Sequence, residues 1–203
     1  MFESDADAGE PVIEVSINTD SAEDDQAAAE LLATVNVEQL VRQTLRIVHV
    51  EEAVTLTLVI SGDSEIQTLN RQYRQQDKPT DVLSFPLLDE PLVRAPAELL
   101  WQEPEEEQTA EEAANELAEG SSVPLFVTPA ELSTNLGDIM ISWPTTLRQA
   151  REAGHGIADE LLFLLCHGVL HLVGYDDQTE AGYREMVRLQ KQILGEVQQK
   201  GSL

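Results

Sequence analysis

The sequence predicts a single α/β (α+β) domain: a small mixed four-stranded sheet packed with about five helices, in which an apolar helix near the C-terminal end is followed by a turn. Three observations predict it. The chain has 203 residues, of which 42% are hydrophobic, enough for one core and short for two. Segments with strand-like alternation are interspersed with segments of helical periodicity, the pattern of helices covering a sheet. No internal repeat breaks the chain into equivalent units.

The elements follow in order. After an acidic lead, "PVIEVSIN" (11–18) alternates with period two, as a half-buried strand does. In "SAEDDQAAAELLATVNVEQLVRQTLRIVHV" (21–50), Leu40, Val41, Leu45 and Val48 recur at helical spacing, giving one or two helices. "AVTLTLVIS" (53–61) is a Val/Leu/Thr strand ending at the turn Gly62-Asp63. "SEIQTLNRQYR" (64–74) starts on a serine able to cap a helix and sets Ile66, Leu69 and Tyr73 on one face. "DKPTDVLSFPLL" (77–88) passes from a proline turn into a short strand, and "LGDIMIS" (136–142) is the fourth strand. "WPTTLRQAREAGHG" (143–156) is a helix with Pro144 in its first turn and Gly154 near its end. "IADELLFLLCHGVLHLVG" (157–174) is a buried helix, and "QTEAGYREMVRLQKQILGEVQQ" (178–199) a final amphipathic one.

The formal charge of −26 argues against a polyanion partner until its distribution is considered. Residues 1–30 hold ten acids and no Lys or Arg, and residues 87–132 hold twelve acids and only Arg94. The rest of the chain is therefore only mildly acidic, with Arg71, Arg74 and Lys78 grouped as a positive spot, and a nucleic-acid substrate is not excluded. Residues 1–10 are read as a disordered acidic terminus, and about 88–134, rich in Glu, Ala and Pro, as an acidic insertion mobile in its middle. The N-terminus has no secretory pattern, the most apolar run (161–174) is too short and polar to span a bilayer, and Cys166 is alone. These point to a cytoplasmic protein that does not engage a membrane.

The chemistry sits in "HGVLHLVGYDD" (167–177). On a helix, His167 and His171 lie one turn apart and can reach one cation, with Leu164, Cys166 and Gly168 as apolar surroundings that keep the site dry. Gly174 suits a left-handed turn that brings Asp176 and Asp177 back toward the pair. Two histidines four apart also arise as ordinary packing, and the glycine and carboxylates after an apolar helix are what raise the metal reading. Gly168 occupies the position of the glutamate in H-E-x-x-H peptidases, which disfavours that chemistry.

The same stretch resembles the H-G-x-L-H-L-x-G-Y-D-H signature of the YbeY family of bacterial rRNA maturation endoribonucleases. "LNRQYRQQDKPTDVLSFP" (69–86) and "LGDIMIS" (136–142) are similar to that family's other two blocks, in the same order, and the likeness covers about 50–200 apart from the insertion. The resemblance implies an α/β fold with a four-stranded mixed sheet and one Zn2+ ion held by His167, His171 and the residue at 177. There the family's third histidine is replaced by Asp177. Either Asp177 serves as an oxygen ligand in a 2-His-1-carboxylate site with a position open for water, or the metal is weak or absent and the protein is a binding factor.

The resemblance further implies a single-strand-specific, metal-dependent endoribonuclease of rRNA processing, acting in 16S rRNA 3′-end maturation and late small-subunit quality control. Its partners would be ribosomal RNA and the pre-ribosomal small subunit, with ribosomal proteins or an assembly GTPase as further candidates. Arg74 matches an arginine of the family's second block and could clamp a phosphate; as a bare residue it reads as a solvated helix-end arginine. The alternative function is a non-catalytic ribosome-assembly factor. Asp81, Ser84 and Asp138 are read as structural, Cys166 as a buried small hydrophobe, and His155 as part of a local turn.

Overall fold

The computed structural model describes residues 10–101 and 133–200. The terminal segment 1–9 and the centre of the acidic insertion, 102–132, therefore lie outside the described residues. The elements run β1 (Val12–Asn18), α1 (Ala22–Leu32), α2 (Val37–Ile47), β2 (Val54–Ser61), α3 (Asp63–Arg74), β3 (Val82–Pro86), a 3-10 turn (Ala97–Leu99), β4 (Thr134–Ser142), α4 (Trp143–Ala153), α5 (Ile157–Leu172) and α6 (Glu180–Lys200). No single helix among the described residues is long and apolar enough to cross a membrane.

The four strands form one mixed sheet in the order β1-β2-β4-β3. β1 and β4 run parallel to β2, and β3 closes the edge antiparallel to β4. Because successive side chains point to opposite faces, the sheet separates two apolar layers. Leu56, Leu58 and Ile60 of β2 and Ile139 and Ile141 of β4 enter the main core under α2, α5 and α6. Ile66 of α3, Leu83 and Met140 make a smaller cluster on the other face.

One detail settles what the sequence left open, and two depart from expectation. The segment 21–50 holds two helices, because the Asn36 side chain accepts from the Gln39 N–H at 2.8 Å and caps a second start. Ser64 does not cap α3: Gly62 is the N-cap without a side-chain bond. A carboxylate distant in sequence does the work instead, since Asp20 accepts from the Asp63 N–H at 3.1 Å and from the Ser64 hydroxyl at 2.6 Å. β4 begins at Thr134, the last residue of the expected insertion and two residues before the expected strand, because its main chain pairs with Val54 and Thr55 regardless of side-chain polarity.

Candidate metal centre

α5 starts at Ile157 with Asp159 and Glu160 in its first turn, where carboxylates complement the helix dipole, and buries Leu161, Leu164, Leu165, Cys166, Val169, Leu170 and Leu172. Each fully buried Leu contributes about 1.5–3 kcal/mol, so the helix is anchored firmly enough to fix what its remaining face presents. That face carries Phe163, His167 and His171, which with Leu164 at its border line one cleft of about 400 Å³. Cys166 is fully buried in the main core, and Gly168 abuts the sheet, so neither surrounds the imidazoles as the sequence suggested. A Cβ at 168 would lie 2.8 Å from Ile139 Cγ2, so a glutamate there would meet β4 and not the cleft.

The chain brings all three expected ligands together. His167 Nε2 and His171 Nε2 are 3.0 Å apart, Asp177 Oδ2 is 3.7 Å from the first and Asp177 Oδ1 is 3.8 Å from the second. The site is open at the cleft, not dry: the three side chains are 23%, 16% and 36% exposed. Gly174 makes the return possible. Its φ of +127° lies where L side chains are strained, and a Cβ would sit 2.4 Å from Pro91 Cβ.

These donors fit a divalent cation. Two imidazoles and a carboxylate are an ordinary zinc set, and ligands about 2.0–2.1 Å from one ion at tetrahedral angles stand about 3.3 Å apart, close to the separations seen. His171 Nδ1 donates to the Tyr175 carbonyl at 2.9 Å, and a carbonyl can only accept, so Nε2 is the bare nitrogen facing the cluster. Burial holds both rings neutral. It is the largest cause pulling His167 down to about 4, with His171 adding to the effect and Asp177 opposing it; His171 is lowered by the same burial.

Arg74 closes α3 and reaches the same cleft. Gln75 follows in the left-handed conformation, and buried Asn70 donates to the Lys78 carbonyl at 2.8 Å, fixing the path of the loop. Arg71 lies 3.7 Å from Asp77, which offsets part of the expected positive spot. Arg74 makes no salt bridge among the described residues and is exposed. Asp81 also lines the cleft, but its oxygens accept from the Val82 N–H at 2.9 Å and the Gln149 amide at 2.9 Å, which keeps it in the wall. His155 pairs with Glu160 and takes no part in the cluster.

Sequence reading missed the support of this site. The near end of the acidic insertion is a strap over the turn after α5: Leu92 N–H donates to the Val173 carbonyl at 3.0 Å, Trp101 N–H to Gly174 at 3.0 Å, and Asp176 N–H to Leu99 at 3.0 Å. Leu100 bridges Tyr175, and Val93 enters the core. Apolar Leu87, Leu88, Leu92, Val93, Leu99, Leu100 and Trp101 before the glutamate run were the signal in the sequence. Gln190 was also missed; it lines the cleft and is a buried polar residue among Met186, Leu189 and Ile193 of α6.

Residues 18–198 match the family model described as Endoribonuclease YbeY. The chain is 40% identical over 185 residues to the Endoribonuclease YbeY of Moorella thermoacetica, covering 91% of this chain and 97% of that protein. To that of Dehalococcoides mccartyi it is 36% identical over 151 residues, covering 74% and 79%. The solution structure of TM1509 from Thermotoga maritima shares the fold with a TM-score of 0.50 at 23% identity, over 92% of this chain and 91% of that one.

Proposed function

The chain belongs to the family of the endoribonuclease YbeY, and on that premise we propose that it is a metal-dependent endoribonuclease of ribosomal RNA processing that cuts unpaired RNA. One observation carries the reading: two imidazole Nε2 atoms and a carboxylate converge within 3.0–3.8 Å in a cleft that also holds Arg74, a cation without a protein counter-ion among the described residues. His167, His171 and Asp177 would hold the ion, with Zn2+ matching the donor set. A bound divalent ion supplies Lewis-acid polarisation of a phosphate or of the attacking oxygen.

The chain's own residues supply the rest. Arg74 binds a phosphate oxygen through its guanidinium fork and offsets the negative charge that builds on phosphorus. Asp177 fixes the ligand set at one negative charge. Among the described residues lining the cleft, the carboxylate besides Asp177 is Asp81, and it is engaged by Val82 and Gln149.

The finer role that follows is maturation of the 16S rRNA 3′ end and late quality control of the small subunit, in the cytoplasm where ribosomes assemble. Ribosomal RNA and the pre-ribosomal small subunit would be the partners. Metal analysis of the purified protein and of Asp177→Ala, with cleavage assays on one RNA sequence in unpaired and duplex form, tests the reading. One ion per chain, lost in the variant, and cutting confined to unpaired RNA are expected. A wild-type protein that carries no stoichiometric metal, binds RNA and leaves it intact would establish the non-catalytic assembly-factor alternative. Depletion in the host is expected to accumulate small-subunit RNA extended at its 3′ end.

A further inference from the structure

α6 runs antiparallel to α5 along the cleft: the Gln190 amide donates to the Phe163 carbonyl at 3.4 Å, and farther on Gln198 donates to Asp159 at 3.5 Å. This pairing sets the heights of two exposed aromatic rings in the cleft wall. Phe163 stands level with Gln190, one turn before His167 on the same face of α5. Tyr183 stands two helical turns before Gln190 on α6, about 10 Å away along the axis, toward the end where Asp177 returns. His167 falls between the two levels, so the rings stand at opposite ends of one groove that also holds Arg74, His171 and Asp177.

Both rings are open to solvent, Phe163 at 41% and Tyr183 at 57% exposure. Neither packs against another aromatic ring among the described residues. Apolar surface of this kind, rimmed by polar groups in a cleft, marks a place where a ligand is covered or gripped.

We propose that Phe163 and Tyr183 are the base-binding, specificity-determining residues of the cleft: each stacks on one base of an unpaired RNA, on either side of the phosphate held at the His167, His171 and Asp177 cluster and Arg74. The inference rests on the endoribonuclease reading and adds what selects the substrate. Arg74 and a bound cation meet phosphate, which paired and unpaired RNA present alike. A ring meets the flat face of a base, which a duplex covers with neighbouring pairs and an unpaired strand leaves free. Two rings about 10 Å apart along the groove further require the two bases to be parted, which an unpaired strand permits. On a chain of net charge −26 the general attraction for phosphate is weak, so base stacking carries a larger share of the affinity. Because every base has a π face, the groove is expected to select unpaired RNA with little regard to its sequence.

The test uses the metal-loaded full chain, Phe163→Leu and Tyr183→Leu, which keep apolar bulk and remove the ring face, and Tyr183→Trp, which keeps one. Cleavage of a short oligoadenylate gives kcat and KM, and a ribose–phosphate chain of the same length without bases serves as competitor. Each leucine variant is expected to raise KM about 5–100-fold with kcat held, whereas Tyr183→Trp stays near wild type. The base-free chain is expected to bind wild type more weakly than oligoadenylate does and to inhibit wild type and the leucine variants equally, since it reaches the phosphate contacts and not the rings. An unchanged KM in both folded leucine variants overturns the proposal. So does a base-free chain that binds wild type as tightly as oligoadenylate, whether or not the variants fold. A wild type that cuts no RNA overturns the endoribonuclease reading beneath it, and the proposal with it.

Discussion

The indole N–H of Trp101 donates to the main-chain carbonyl of His171 at 3.1 Å, so a residue of the acidic insertion holds the last turn of the helix that presents an imidazole to the cleft. The same carbonyl accepts from the Gly174 N–H at 3.1 Å, and the two bonds pin the helix end against its own turn. Trp101→Phe keeps the ring and removes the donor. It is expected to cost about 1 kcal/mol in urea unfolding and to weaken Zn2+ binding several-fold. Unchanged affinity would show that the strap stabilises the fold without reaching the site.

Gly174→Ala is expected to be costlier. Its backbone lies at φ +127°, and an added Cβ meets Pro91 at 2.4 Å, so either the turn or the strap must move. A loss of about 2–4 kcal/mol is expected from strain and displacement together, with Asp177 withdrawn from the histidines. Chemical denaturation and Zn2+ titration of the variant check both effects.

Gly168 sets how closely α5 approaches β4. Alanine there is expected to destabilise by about 1–3 kcal/mol through overpacking against Ile139. In an Ile139→Ala background the penalty should shrink, and a double-mutant cycle measures the coupling. Gly168→Glu, which writes the H-E-x-x-H spacing into the chain, is expected to unfold it and to yield no peptidase. A folded Gly168→Glu protein would contradict the packing seen.

The depressed pKa of His167 gives the metal-free protein a defined response to acid. Burial lowers it from 6.5 to about 4, so between those values the unfolded chain binds a proton that the folded chain refuses. The contribution is full above about pH 6.5 and is lost as pH falls toward 4, by up to about 3 kcal/mol. His171 is shifted in the same direction and adds to the loss. The difference in urea midpoint between wild type and His167→Gln, followed from pH 7 to 4, isolates this term from the titration of the many carboxylates. A constant difference across that range would contradict it.

Arg74→Ala is expected to lower kcat for RNA cleavage by roughly 100-fold or more while leaving metal content and Tm unchanged, because the side chain is exposed and bears on the phosphate. Arg74→Lys should recover only part of the rate, since an ammonium lacks the planar fork. Cleavage that survives Arg74→Ala unaltered removes the residue from the mechanism.

Much of this was legible from local pattern. The alternation of β1, the apolar run of β2 and the helical spacing of α3 and α6 fixed element types, because burial on one face imposes a period on the chain. The i, i+4 spacing of His167 and His171 placed both rings on one helical face, and Gly174 announced the turn that returns Asp177. The origin of the α3 cap in Asp20 was not legible, nor was the role of 88–101, which looked like the start of a charged loop.

The sequence by itself determined the fold class, the pair of histidines and the carboxylate that could join them, since each depends on residues close along the chain. Tertiary structure decided that Arg74 and Gln190 share a cleft with them, that Cys166 and Gly168 face away, and that the Leu92–Trp101 strap secures the turn after α5. The reason is geometric. A helix states its own periodicity in sequence, but which of its faces meets the sheet, and which distant backbone satisfies its last carbonyls, is settled only when the elements pack and every buried polar group finds a partner.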